Sequence, residues 1–136
     1  MANAFKLHIR SADRDFYEGD AVSLTLSLTD GQLGILANHN PMVAAVVPGR
    51  LTYRLPDNTL VAAVAGSGIV RFENNDALVL LESVERPEDI DEQRAQAAVD
   101  RARAALQNSK TRQEKLQAKA DLARAENRLR AAQEQL

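Results

Sequence analysis

Two hydrophobic patterns divide the chain near Arg86. Before it, apolar side chains alternate with polar ones, as at Phe5, Leu7 and Ile9. A period of two is typical of half-buried β-strands. The same alternation and short apolar runs recur along this part of the chain, at 22–28, 33–36, 43–47, 51–55, 60–64, 69–72 and 77–81. Residues typical of turns separate them at 18–20, 30–31, 38–41, 48–49, 56–58 and 73–76. The pattern therefore predicts about ten short strands.

So many strands in about 85 residues cannot form one open sheet with its apolar face in water. A sheet of this size folds over on itself, which gives a β-sandwich or a flattened barrel. We expect a β-sandwich domain at residues 1–86.

A helical pattern replaces the strand pattern after Pro87. Either Asp89 or Asp91 can cap a first helix, whose apolar stripe contains Ile90, Ala95, Ala98, Val99, Ala102 and Leu106. The stripe stops at 107–109, and a second helix is predicted from about Lys110. Its apolar positions recur at steps of four and three, which is the spacing of a seam against another helix; they are Ala118, Leu122, Ala125, Leu129, Ala132 and Leu136. Residues 87–136 thus predict an antiparallel two-helix hairpin, and the whole chain is of the α+β class.

The predicted hairpin has little to hold it in place. Most of its seam positions are alanine, which buries far less apolar surface than leucine or valine. A weakly packed helix pair can adopt a second arrangement if a ligand or partner favours it.

Composition and charge narrow the possible functions. The 136 residues carry 17 Lys and Arg against 19 Asp and Glu, a net charge of -2, which argues against a protein that binds nucleic acid through its phosphates. There is no Cys and there are only two His, so thiolate and three-histidine metal sites are not expected. No convergent catalytic set is visible, and we expect neither an enzyme nor a membrane-inserted protein.

Two stretches carry a resemblance to a known family. The segment GQLGILANHNPMVAAVVPG at 31–49 is similar to the signature Gly-x-Leu-Gly-x-Leu-Pro-x-His-x-Pro-Leu…Pro-Gly of the epsilon subunits of F-type ATP synthases. VAGSG at 64–68 and NDALVL at 75–80 resemble a second conserved stretch of that family. The chain departs from the family pattern at Ala37, where Pro is usual, and at Ser67-Gly68, where Gly-Phe is usual.

The resemblance implies a non-catalytic regulatory subunit of a proton- or sodium-translocating ATP synthase. Such a subunit lies in the central stalk and contacts the gamma subunit, the membrane c-ring and the alpha/beta catalytic head. It couples head to ring, and its mobile helices inhibit ATP hydrolysis. The resemblance also implies a peripheral position at the cytoplasmic face of the bacterial plasma membrane. It makes Gln32, His39 and Asn40 candidate interface residues.

The family resemblance further implies ATP as a regulatory ligand, rather than a catalytic cofactor, on the folded-down hairpin. IDEQRA at 90–95 matches the Ile/Leu-Asp-x-x-Arg-Ala motif of ATP-binding bacterial members. The implied ATP-binding residues are Glu85, Ile90, Asp91, Arg94, Ala95, Arg124 and Arg128. Arginine side chains bind phosphates, and carboxylates accept hydrogen bonds from an adenine amino group or a ribose hydroxyl.

Two alternatives stand beside this interpretation. Asp91 can be a helix cap only, with Arg94 as its exposed ion-pair partner. The whole chain can also be a stand-alone β-sandwich and coiled-coil adaptor whose helices dimerise with a second copy.

Overall fold

The computed structural model describes residues 3–134 of the chain. It divides into two compact units, with the boundary between Glu85 and Arg86. The first unit contains ten strands in two sheets and the second contains two α-helices. The predicted α+β fold class, a β-sandwich followed by a helical hairpin, is confirmed.

Each sheet of the first unit has five strands. One sheet has the order β2-β1-β9-β8-β5 and the other β10-β7-β6-β3-β4. The only parallel neighbours in the described chain are β1 and β9. The strands are β1 (Phe5–Ser11), β2 (Asp15–Ala21), β3 (Ser23–Leu28), β4 (Gly31–Leu36), β5 (Met42–Val46), β6 (Gly49–Arg54), β7 (Leu60–Ala65), β8 (Gly68–Glu73), β9 (Asp76–Leu81) and β10 (Val84–Glu85).

Alternation along the strands fills the space between the sheets. Phe5, Leu7 and Ile9 of β1 are buried, whereas Lys6 and Arg10 are exposed and His8 is half-buried. Leu24 and Leu26 of β3 supply the facing side of the same core cluster. Burial of large aliphatic and aromatic side chains is the main stabilising contribution to such a unit. In β1 and β3 the core residues are therefore the ones that the period of two predicts.

Asparagines make several of the turns. The β8–β9 hairpin turn is Asn74-Asn75, with φ of 53° and 58°. Positive φ at both central residues is the geometry that fits the twist of a hairpin. At the β6–β7 turn Asn58 has φ 77°. There the Thr59 N–H donates to the Asp57 carboxylate at 2.9 Å, and this hydrogen bond holds the pKa of Asp57 below its usual range.

One predicted turn is wrong. Residues 18–20 were expected to turn, but Glu18, Gly19 and Asp20 lie inside the edge strand β2. The Tyr17 hydroxyl donates to the Asp20 carbonyl at 2.7 Å, so the tyrosine ring passes over Gly19. A Cβ at Gly19 would be 2.7 Å from the Tyr17 hydroxyl oxygen. Gly19 therefore leaves room for the Tyr17 side chain and is not part of a turn.

The second unit begins with a short 3-10 helix, Pro87–Asp89, followed by α1 (Glu92–Gln107) and α2 (Arg112–Glu134). Asp91 is the N-cap of α1. The start of α2 is a capping box in which the Glu114 N–H donates to Thr111 Oγ1 at 3.0 Å and the Glu114 carboxylate accepts from the Thr111 N–H at 3.4 Å. This cap explains why α2 begins at Arg112 and not at the predicted Lys110.

The two helices pack against each other through small side chains. The buried residues of α1 are Ala95, Val99 and Ala102, and those of α2 are Ala118, Ala125, Asn127 and Ala132. The predicted seam residues Leu122 and Leu129 are only half-buried, and Leu136 lies outside the described residues. Each helix thus covers the seam of the other within the same chain, largely through alanine side chains.

Candidate functional site

A groove of about 390 Å³ opens on the surface of the helical unit. It is lined by three arginines, two aspartates and two alanines: Asp89, Asp91, Arg94, Ala97, Ala98, Arg101 and Arg128. Sites for small molecules typically have volumes of about 300 to 1,000 Å³. The groove thus presents both acidic and basic side chains. This combination suits a ligand that has phosphates and hydrogen-bond donors.

The groove lies where the first half of α1 meets the second half of α2. Arg94, Ala98 and Arg101 follow at steps of four and three, so they share one face of α1. Arg128 reaches the same groove from the second half of α2. This meeting of the two helices is possible because the hairpin is antiparallel.

Asp91 has a structural contact at the edge of the groove. Its Oδ1 accepts a hydrogen bond from the Arg94 backbone N–H at 3.2 Å. This hydrogen bond makes Asp91 the N-cap of α1. Within residues 3–134 no hydrogen bond is made by its second oxygen, Oδ2. A ligand donor can therefore bind Oδ2 while Oδ1 continues to cap the helix.

Arg94 and Arg101 both line the groove. In the part of the chain that the structure describes, neither guanidinium has an ion pair or a hydrogen bond. Both residues are exposed. Their positive charge is available to an anion, and its attraction is screened by salt.

The structure brings together three of the seven predicted ATP-binding residues, Asp91, Arg94 and Arg128. Arg124 does not line the groove, and its guanidinium donates to the Asp121 carboxylate three residues earlier on α2. Ile90 and Ala95 are buried and also do not line it. Glu85 belongs to the first unit, in β10. The roles of all seven residues in binding stay predictions.

The predicted interface residues lie at two ends of β4. His39 and Asn40 are in the loop after it, where His39 Nδ1 is 2.8 Å from the Asn40 carbonyl oxygen and the imidazole contacts the Phe72 ring edge to face. Gln32 is near the start of β4, about 13 Å along the strand from Leu36 at its end. All three belong to the first unit, and Gln32 and Asn40 are exposed.

Two charged residues of the groove were not predicted from the sequence as ligand contacts. Asp89 was considered only as a helix cap, and Arg101 was not singled out. The signal for Arg101 was present, because it follows Arg94 by seven residues and seven residues are nearly two helical turns. Among the described residues, no three His, Asp or Glu side chains are grouped to hold a metal ion. None of the described helices is long and apolar enough to cross a membrane.

Comparison with known proteins identifies the family of this chain. Residues 4–87 match the β-sandwich domain of the ATP synthase delta/epsilon chain, and residues 88–133 match its long α-helix domain. The chain belongs to the ATP synthase epsilon-chain family. The ATP synthase epsilon chain of Caldicellulosiruptor bescii is 37% identical over 130 residues, which cover 96% of this chain and 94% of that protein.

A second epsilon chain is similar in sequence, and a solved structure is similar in fold. The plastid ATP synthase epsilon chain of Cuscuta reflexa is 36% identical over 126 residues, covering 93% of this chain and 92% of that one. A chain in a cryo-EM structure of the Euglena gracilis mitochondrial ATP synthase has a similar fold, with a TM-score of 0.81 and 21% identity. The match covers 98% of this chain and 84% of that chain. The family predicted from the signature at 31–49 is confirmed.

Proposed function

We propose that this epsilon-family chain is a non-catalytic, regulatory subunit of an F-type ATP synthase and binds ATP on its helical hairpin. The observation that carries the proposal is the groove, in which Asp91 and Arg94 of the motif meet Arg128 of α2. A ligand held by residues of both helices stabilises the hairpin in the arrangement described here, because it binds that arrangement better than any other.

The helical unit is suited to a change of state. Its seam is mainly alanine, so separating α1 from α2 exposes little large apolar surface. ATP in the groove opposes that separation, and without ATP the helices rise into the catalytic head and block hydrolysis. This is the regulatory cycle that we propose, with hydrolysis inhibited when ATP is scarce.

The first unit supplies the docking surfaces in this proposal. Its sandwich contacts the gamma subunit, and the region of Gln32, His39 and Asn40 faces the membrane c-ring. The subunit is then peripheral to the membrane, at the cytoplasmic face in a bacterium. The Euglena relative comes from an assembly of OSCP, F1 and c-ring, which supports this part of the proposal.

Calorimetric titration of the isolated chain with ATP tests the binding site. We expect binding without added Mg²⁺, because arginines meet the phosphate charge. Arg94→Ala and Arg128→Ala each remove charge-assisted hydrogen bonds and should weaken binding by about ten- to a hundredfold. Lys115→Ala removes the same charge from an exposed position of α2 outside the groove and should leave affinity unchanged.

Two results would contradict the site. One is an absence of ATP binding at millimolar concentration, and the other is an Arg94→Ala variant that binds as tightly as the wild type. In either case Asp91 keeps its observed role as the cap of α1. Sizing the isolated chain separates the adaptor alternative, which requires a concentration-dependent dimer that disappears when 91–136 is deleted.

A further inference from the structure

The loop between β1 and β2 carries a side chain that reaches the last strand of the sandwich. Arg14, in this loop, donates a hydrogen bond from Nη2 to the Val84 carbonyl oxygen of β10 at 2.8 Å. The two residues are 70 positions apart in sequence. Arg14 directly precedes β2, which is the edge strand of one sheet, and β10 is the edge strand of the other. We call this hydrogen bond, which connects the edges of the two sheets, the latch.

Contacts within the same loop orient the side chain that makes the latch. The Ser11 N–H donates to the Arg14 carbonyl at 2.9 Å, and the Ser11 hydroxyl donates to the Asp13 carboxylate at 2.7 Å. The guanidinium carbon of Arg14 lies 5.9 Å from the centroid of the Phe16 ring, within the range of a cation–π interaction. These contacts hold the guanidinium on the side of β10, so less conformational entropy is lost when the latch forms.

The strand that the latch holds is short. β10 pairs with β7 over two residues, with Val84 opposite Ala65 and Glu85 opposite Val64. The Val84 side chain is buried in the core cluster of the sandwich, while its carbonyl accepts from Arg14. Short segments with few contacts open locally at the lowest cost. Because a hydrogen bond from a charged donor is stronger than one between neutral groups, the latch opposes this opening.

The chain that follows β10 is restricted by a proline. Arg86 has an extended backbone, with φ -76° and ψ 139°, and Pro87 begins the 3-10 helix. Proline fixes its own φ and favours an extended conformation in the residue before it. The Ile90 N–H donates to the Pro87 carbonyl at 3.2 Å and closes the turn. Between the latch at Val84 and this turn, backbone rotation is concentrated at Glu85 and Arg86, which is also where the two units divide.

We propose that the Arg14 latch keeps β10 on the sandwich and confines the pivot of the helical unit to Glu85 and Arg86. The movement of that unit rests on the proposed function, whereas the closing of β10 by Arg14 does not. Without the latch, β10 separates from β7 more often, and the flexible connection extends back to about Glu82. A longer flexible connection lowers the effective concentration of the hairpin at a target site. Arg14 thereby increases the efficiency with which the hairpin inhibits hydrolysis.

Amide hydrogen exchange of the isolated full-length chain, followed by NMR, tests the latch directly. The Gly66 N–H donates to the Ser83 carbonyl at 2.8 Å, immediately before β10, and is the reporter. Arg14→Gln should raise the exchange rate of this amide by about tenfold or more. The amides of Val70 and Val79, which lie opposite each other in β8 and β9, should stay within about twofold of their wild-type rates.

Arg10→Gln is the matched control in the same pair of strands. Arg10 is exposed, and its Nε lies 3.3 Å from the Asp15 carboxylate rather than near β10. This variant removes the same charge and should leave Gly66 exchange within about twofold of the wild type. Arg14→Lys, which keeps the charge and one donor group, should give an intermediate rate. Unchanged Gly66 exchange in Arg14→Gln overturns the latch, as does an equal increase in Arg10→Gln or a uniform increase across β8 and β9.

ATP hydrolysis by the assembled enzyme at low ATP tests the pivot. Enzyme that contains Arg14→Gln should hydrolyse ATP about twofold faster or more, toward the rate of enzyme truncated after Glu88. The rates are compared at equal content of the chain. If truncation does not raise hydrolysis, the proposed function fails and the exchange experiment still decides the latch. If truncation raises hydrolysis but Arg14→Gln inhibits as strongly as the wild type, the role of Arg14 in the pivot is overturned.

Discussion

At the scale of single residues, Asp91 combines a cap with a predicted ligand contact, and one pair of substitutions separates the two. Asn accepts the same hydrogen bond from the Arg94 N–H, so Asp91→Asn should keep the thermal stability of the helical unit. Asp91→Ala should lose about 1 kcal/mol of cap stability. Both should weaken ATP binding, by about tenfold or more, if the carboxylate binds the ligand. Thermal melts followed by circular dichroism and calorimetric titrations measure the two effects, and unchanged ATP affinity in Asp91→Asn would leave Asp91 a cap only.

Asn75 provides a second prediction at this scale. Its side-chain oxygen accepts from the Asn38 N–H at 2.8 Å, and its amide donates to the Ala4 carbonyl at 2.9 Å. Asn75→Gly keeps the positive φ but loses both hydrogen bonds, and should lower the free energy of unfolding by about 1 to 3 kcal/mol. Asn74→Gly is the control, since Asn74 has the same backbone conformation and no side-chain hydrogen bond within the described residues. Equal urea midpoints for the two variants would contradict the prediction.

The sequence predicted individual groove residues only in part. Arg94 and Arg128 were both implied by the family resemblance, Arg94 through the motif at 90–95. Arg124 is on the same helix one turn earlier, but Asp121 competes for its guanidinium at a spacing of three residues. Arg101 belongs to no motif, and its spacing of seven residues from Arg94 is the one signal in the sequence that places it on the same helix face. Residue type and spacing name the candidates, and the competition among neighbouring charges decides which of them reach the groove.

At the scale of elements, Gly68 is required where β8 meets β9. A Cβ there would overlap the Leu80 carbonyl oxygen and come within 2.8 Å of Leu81 Cα, and both are backbone atoms that cannot move aside cheaply. Gly68→Ala should therefore lower the free energy of unfolding by about 1 to 3 kcal/mol. The control, Gly34→Ala in β4, meets no atom within 4 Å and should change stability by less than about 1 kcal/mol. Urea denaturation compares them, and equal effects would show that Gly68 tolerates a side chain.

The local hydrophobic pattern is sufficient to predict some strands and not others. Alternation predicts β1 and β3, because each has one buried face. It does not predict the parallel pairing of β1 with β9, in which Leu7 lies opposite Ala77 from the far end of the sandwich sequence. The two-residue β10 is too short to show a period, and β2 was interrupted by the turn expected at 18–20. Pairing across the sheet decides these elements, and it is not a local property of the chain.

At the scale of the whole molecule, the two units have unequal cores. Large side chains such as Phe5, Phe72 and Leu24 fill the core of the sandwich, whereas α1 and α2 pack together mainly through alanine. Loss of the hairpin removes none of the sandwich core cluster, all of which lies before Glu85. A chain ending after Glu88 should therefore retain a folded sandwich and its docking surfaces.

This division leads to the last prediction, which concerns the assembled enzyme. Residues 108–130 carry seven basic and three acidic side chains, so an acidic surface in the catalytic head would attract α2. Truncation after Glu88 should raise ATP hydrolysis, most strongly at low ATP, and leave assembly intact. Full-length enzyme with Arg94→Ala is the counterpart: it should stay inhibited at ATP concentrations that release the wild type, because the ligand no longer holds the hairpin down. Steady-state ATPase rates across a range of ATP concentrations measure both effects. Equal rates for truncated and wild-type enzyme at low ATP would show that the hairpin does not inhibit hydrolysis.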